Sequence, residues 1–175
     1  MKKLTCFLAL AIACVLTCGA QDATVGDWTF GTATDGTPYT YTMNESGGVF
    51  GQWCDGTEGS CFWVVASTSR CADNVQYPVI VNGATTSFAA TFICSGTVQL
   101  SGKTHYRYVL SPFDSVQSAV MQGARIGIAI PMTGEEFRVL RFSLNGAAFM
   151  SQKMDSAKLI FWENKSKKST RDLRL

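Results

Sequence analysis

The residues best equipped for chemistry are the four cysteines Cys54, Cys61, Cys71 and Cys94, the single histidine His105, and the segment Asp55-Gly56-Thr57-Glu58-Gly59-Ser60 that the first two cysteines bracket. If Cys54 joins Cys61, this segment becomes a loop fixed at its base. It carries Asp55 and Glu58, with Trp53 before it and Phe62 and Trp63 after it. A loop held in shape loses little freedom on binding, so even a small contact area gives useful affinity. Trp53, Asp55, Glu58 and Trp63 are therefore the candidate binding residues, presented to a cationic partner. The plainer alternative is a hairpin turn whose charges confer solubility while Trp53, Phe62 and Trp63 fill the core. Calcium fits poorly, because a hard cation wants about six or more oxygen ligands and this loop has few carboxylates.

Other chemistries find less support. Nucleophilic catalysis needs an imidazole beside the nucleophile, and His105 opens a strand with no elbow pattern near it. Glycoside hydrolysis needs two carboxylates at a fixed separation. Glu135 and Glu136 are adjacent and diverge across a strand, Asp114 is accounted for by a helix start, and Asp27 and Asp73 show no partner. Arg138 and Arg141 suggest an anion clamp or, more simply, two outward residues of a strand. No cofactor or metal site is expected. The cysteine spacings are not paired C-x-x-C knuckles, which counts against zinc.

The compartment decides what the cysteines do. Residues 1–20 have the layout of a secretory signal peptide: Lys2 and Lys3, an apolar run from Leu4 to Leu16, and a small-residue exit at Cys18-Gly19-Ala20. Val15-Leu16-Thr17-Cys18 also resembles a degraded lipoprotein box, and lipid on Cys18 would tether the protein to a membrane. Cys6, Cys14 and Cys18 fall in this leader, so an even set of four cysteines remains, which favours disulfides in an oxidising, periplasmic or secreted setting. Three pairings are possible. Cys54–Cys61 with Cys71–Cys94 is preferred because each closes a local loop, for about 2.5 and about 3.5 kcal/mol before strain. No later stretch is long and apolar enough for a transmembrane helix.

Of the 15 basic residues, Lys2 and Lys3 lie in the leader, so 13 basic side chains face 13 acidic ones in the remainder. Glu163 to Leu175 holds five basic and two acidic residues. A mildly acidic body with a basic end does not resemble a nucleic-acid binder. The segment 163–175 reads as a solvated, flexible tail, or else as a contact for an anionic surface.

The elements that position these residues are mostly strands. Alternation at Tyr39/Tyr41/Met43, Phe88/Ala90/Phe92, Tyr106/Tyr108/Leu110 and Ile126/Ile128/Ile130 fits half-buried antiparallel strands. Further strands are expected at 26–31, 48–53, 61–66, 77–81 and 136–144, with turn clusters such as Asn82-Gly83 between them. About nine strands describe a mainly β domain over 21–162, an antiparallel sandwich or partly closed barrel. Phe137 and Val139 are out of phase with Leu140, Phe142 and Leu144, which predicts a bulge or a strand covered on both sides. Ser111-Pro112-Phe113-Asp114 predicts a capped helix over 112–122, and Asn145 a second short helix ending near Met154.

Gly26-Asp27-Trp28 near the start and Phe142-Ser143-Leu144-Asn145-Gly146-Ala147 near the end resemble the small periplasmic proteins of the invasion-associated locus B type. That resemblance implies an exported β-sandwich with a loose association with host-cell entry, and it transfers no catalytic residue. The chain departs from that pattern in having no cysteine after Cys94. The expected function is an exported, disulfide-stabilised, non-catalytic module that binds a protein or envelope component. The alternatives are a small envelope-acting hydrolase, centred on His105 or a carboxylate pair, and a structural or accessory envelope protein.

Overall fold

A computed structural model describes residues 23–55, 60–100, 102–132 and 136–172, with side chains of the final helix described as far as Lys167. The leader with Cys18, and also Glu58 and Glu135, lie outside the described residues. The strands are β1 (Ala23–Val25), β2 (Trp28–Thr32), β3 (Pro38–Met43), β4 (Val49–Cys54), β5 (Cys61–Ser67), β6 (Gln76–Asn82), β7 (Ser87–Leu100), β8 (Lys103–Ser111), β9 (Arg125–Pro131) and β10 (Phe137–Ser143). Helix α1 (Phe113–Gln122) lies between β8 and β9, and α2 (Ala147–Asp172) follows β10. The strands form one antiparallel sheet in the order β1-β2-β3-β4-β5-β8-β7-β6-β9-β10.

The fold is mainly β, as expected, and β1 is the strand the alternation did not reveal. The sheet is not closed, since β1 and β10 are its edges. It rolls far enough for its inner face to meet itself in a sandwich-like body. Phe50 of β4 and Phe142 of β10 lie 5.4 Å apart, although their strands are far from neighbours in the sheet. Trp28 packs edge-on to Phe50 at 5.9 Å and to Trp63 at 6.3 Å, and Phe50 stacks on Trp63 at 5.1 Å. Each such ring removed from water contributes about 1.5–3 kcal/mol. The helices complete this core with Val116, Ala119 and Val120 from α1 and Ala147, Met150 and Met154 from α2.

The two stretches that carry the family resemblance meet in space. The Asp27 N–H donates to Asn145 O at 3.0 Å, the Trp28 indole Nε1 to Ser143 O at 2.9 Å, and the Ser143 hydroxyl to the Asp27 carboxylate at 2.6 Å. Gly146, at φ +95°, makes the contact possible, because a Cβ there would stand 1.9 Å from Val25 O. The first hairpin is thus stitched to the junction between the last strand and the last helix.

Several local expectations change. Ser111 ends β8 and does not cap α1; Pro112 takes the N-cap position, with no side-chain cap bond. Asp114 sits in the first turn, where a carboxylate favours the helix dipole. β10 pairs with β9 in continuous register, so it holds no bulge. Its out-of-phase residues Phe137 and Val139 face outward and are 58% and 37% exposed, so that face of β10 is not covered by a second layer. The bulge lies in β7, between Cys94 and Thr97. Helix α2 does not stop near Met154, since no glycine or proline follows Gly146, and it takes the basic segment 163–175 into a helix as far as Asp172. Among the described residues, no helix is long and apolar enough to cross a membrane.

Candidate functional site

Both local cysteine pairs are disulfides. Cys54 and Cys61 face each other as the last cross-strand pair of the β4–β5 hairpin, with Cα atoms 3.8 Å apart. Cys71 and Cys94 join the segment before β6 to β7, with Cα atoms 6.0 Å apart. All four sulfurs are therefore committed, and none is a thiolate for zinc or for nucleophilic attack. Beyond the first bridge, the Asp55 N–H donates to Ser60 O at 2.7 Å and extends the hairpin by one more pair.

Strand parity separates the two candidate tryptophans. Cys54, Gln52 and Phe50 point inward along β4, which puts Trp53 on the outer face, 41% exposed. Along β5, Cys61, Trp63 and Val65 point inward, so Trp63 is fully buried, and its indole Nε1 has no hydrogen-bond partner among the described residues. Trp63 is a core residue and leaves the binding set. This distinction was legible once the bridge was assigned: cross-linked cysteines share a face, so the residue two positions on joins it and the adjacent residue opposes it.

Trp53 does not stand alone. Its ring stacks on Tyr39 of β3 at 4.8 Å with the planes 6° apart, and Tyr39 leans on Tyr41 at 6.1 Å. Beside this aromatic ladder runs a groove of about 590 Å³ on the outer face. Trp53, Asp55 and Phe62 of the hairpin form one wall, and Arg107 of β8 with Ser95 of the β7 bulge forms another. The β2–β3 turn closes one end with Asp35. The Asp35 carboxylate accepts the Thr37 N–H at 3.0 Å. That bond, first of all, holds it below its ordinary value, with Lys165 adding to the effect.

Sequence reasoning missed Arg107. Its Nε and Nη2 donate to Ser95 O at 3.1 and 2.8 Å, and Nε also reaches the Ser95 hydroxyl at 3.1 Å. The clamp needs the bulge to turn a carbonyl toward the guanidinium. The signal for it was Ser95-Gly96 in mid-strand, with Gly96 at φ +88°.

The remaining candidates are dispersed. His105 is 4% exposed, and its Nδ1 and Nε2 face Lys103 O at 3.2 Å and Gly47 O at 3.1 Å. Those contacts tie the β3–β4 turn to β8. Arg138 and Arg141 lie on opposite faces of β10 and form no clamp; Arg138 Nη1 donates to the Ser69 hydroxyl, whereas Arg141 is exposed. Asp27 is not without a partner, being the acceptor for Ser143.

No family model matches the chain, and no curated protein matches it. Among solved structures, it is similar to the crystal structure of invasion-associated protein B from Bartonella henselae, with a TM-score of 0.54 and 12% identity over 78% of this chain and 96% of that one. The likeness expected from the two stitched stretches is thus found as a weak resemblance, and at this identity it extends to the fold alone.

Proposed function

We propose that this protein is an exported, non-catalytic binding module, and that its outer groove takes a protein or envelope component bearing a cationic group. The observation that carries this reading is Trp53: a large ring left 41% exposed, stacked on Tyr39 and placed next to a disulfide-fixed hairpin end. Rigid, half-exposed aromatics beside charged residues are the anchors that dominate recognition surfaces. Asp35 and Asp55 outnumber Arg107 among the charged residues lining the groove, which favours a cation. The enclosed setting of His105 and the cross-linked state of the four cysteines support a role without catalysis. The disulfides, and the absence of a membrane-spanning helix among the described residues, support export.

The test is capture from envelope or host extracts by the wild-type protein, by Trp53→Ala, and by Asp55→Lys combined with Glu58→Lys. Each variant is expected to lose about tenfold or more in capture while its thermal midpoint changes little. Capture that survives both variants would reduce the hairpin end to a simple turn. A second reading, an accessory part of an envelope assembly, draws on the open β10 edge with its outward Phe137 and Val139.

A further inference from the structure

A second groove, of about 780 Å³, lies between α2 and the β2–β3 hairpin, on the other side of the Asp35 turn. Its walls are largely apolar, with Phe30 and Pro38 from the hairpin and Ala157, Ile160 and Phe161 from the helix, interrupted by Thr32, Ser156 and Asn164. Its charged lining is uneven, with Lys153, Lys165 and one carboxylate, Asp35. The Lys153 ammonium lies 4.6 Å over the Phe30 ring, and that of Lys165 lies 5.2 Å over Trp162 and 5.9 Å over Phe161. Among the described residues neither lysine forms an ion pair. The volume is in the range of a small-molecule site, roughly 300–1,000 Å³.

We propose that this groove binds a single-chain anionic amphiphile of the fatty-acid class, with its headgroup at Lys153 and its chain along Ala157, Ile160 and Phe161. Lys153 and Lys165 are twelve residues apart on one helix, which sets them about 18 Å apart along its axis. A groove that is apolar at its middle and has a cation toward each end matches an acyl chain carrying one negative charge. The ends are not equivalent. Lys165 shares its end with Asp35, which feels its charge, whereas no carboxylate of the lining faces Lys153. The anion therefore sits at Lys153, already held at the mouth of the groove by the Phe30 ring. The exposed position of Ile160, 62% accessible, is explained by the same occupant, which would cover it.

The experiment uses the protein as recovered from the cells that make it, with cis-parinarate as a fluorescent eighteen-carbon carboxylate probe. Expected are saturable one-to-one binding, displacement by dodecanoate, and no displacement by dodecyltrimethylammonium. Lys153→Gln should weaken binding about tenfold, and Lys165→Gln by clearly less. Ile160→Glu, a surface change that leaves the core intact, should abolish binding with an unchanged thermal midpoint. Equal competition by the cationic detergent, equal effects of the two lysine variants, or no saturable binding would each overturn the proposal. So would association only with anionic phosphatidylglycerol vesicles that Ile160→Glu leaves intact, since the helix would then be meeting a membrane surface.

Discussion

Replacing Gly146 with alanine tests the stitch that holds the two ends of the domain together. The added Cβ would lie 1.9 Å from Val25 O and 2.7 Å from Val25 C, both backbone atoms that no side-chain rotation can move away. The backbone at φ +95° adds a conformational cost of about 1–2 kcal/mol for any residue with a Cβ. Relieving the clash means shifting the β1–β2 turn, which breaks the bond from the Asp27 N–H to Asn145 O, worth about 1 kcal/mol, and disturbs the Trp28 bond to Ser143 O. The expected loss is about 3–5 kcal/mol, large against a total stability of about 5–15 kcal/mol. Gly96→Ala is the matched control: its φ is +88°, and nothing lies within 4 Å of the added Cβ, so it should cost only the conformational part, about 1–2 kcal/mol. Urea unfolding of the oxidised proteins measures both. If the two variants lose the same stability, the close approach at Gly146 contributes nothing and the stitch does not hold the fold.

Two further outcomes follow from the bridges and the core. Replacing Cys71 and Cys94 together with serine should lower stability by about 3.5 kcal/mol before strain, read as a fall in the urea midpoint, because the bridge spans 23 positions of chain. Tyr108 is pushed above its ordinary value of 10.0 by burial, with Tyr77 adding to the effect. Its protonated form is thus favoured in the folded state, so its contribution is intact below pH 10 and is lost as pH rises through the raised value. Tyrosinate absorbance should show a late-titrating phenol that is lost in Tyr108→Phe, and that variant should flatten the alkaline loss of stability.

Much of the fold was legible because alternation over Tyr39–Met43 or Ile126–Ile130 reports a strand wherever one face is buried. Local cysteine spacing likewise gave both bridges. What escaped depends on neighbours. The outward Phe137 and Val139 look like core residues until their face of β10 proves to be uncovered. The Arg107 clamp exists only because the register between β7 and β8 slips at Ser95-Gly96. The length of α2 was hidden for another reason. Beyond Met154 the helical spacing continues through Ala157, Ile160 and Phe161, but Ile160 is exposed and the basic residues that follow read as a solvated tail. The outer groove was half legible: its hairpin wall was foreseen in Trp53 and Asp55, whereas the opposite wall comes from residues distant in sequence.

The stitch between the first hairpin and the last strand also constrains the order of assembly. Trp28 and Ser143 are 115 positions apart, and Asp27 and Ser143 are 116 apart. Ribosomes deliver a polypeptide from its N-terminus, so β1 and β2 emerge long before the partners that complete them. The earliest residues of the domain thus remain unfinished until nearly the whole chain has appeared, whereas the hairpin closed by Cys54 and Cys61 needs only its own neighbours. Such long-range closure belongs to topologies of high contact order, which fold slowly. A truncation that ends before Ser143 removes the whole of α2 and, with it, the completion of the N-terminal hairpin.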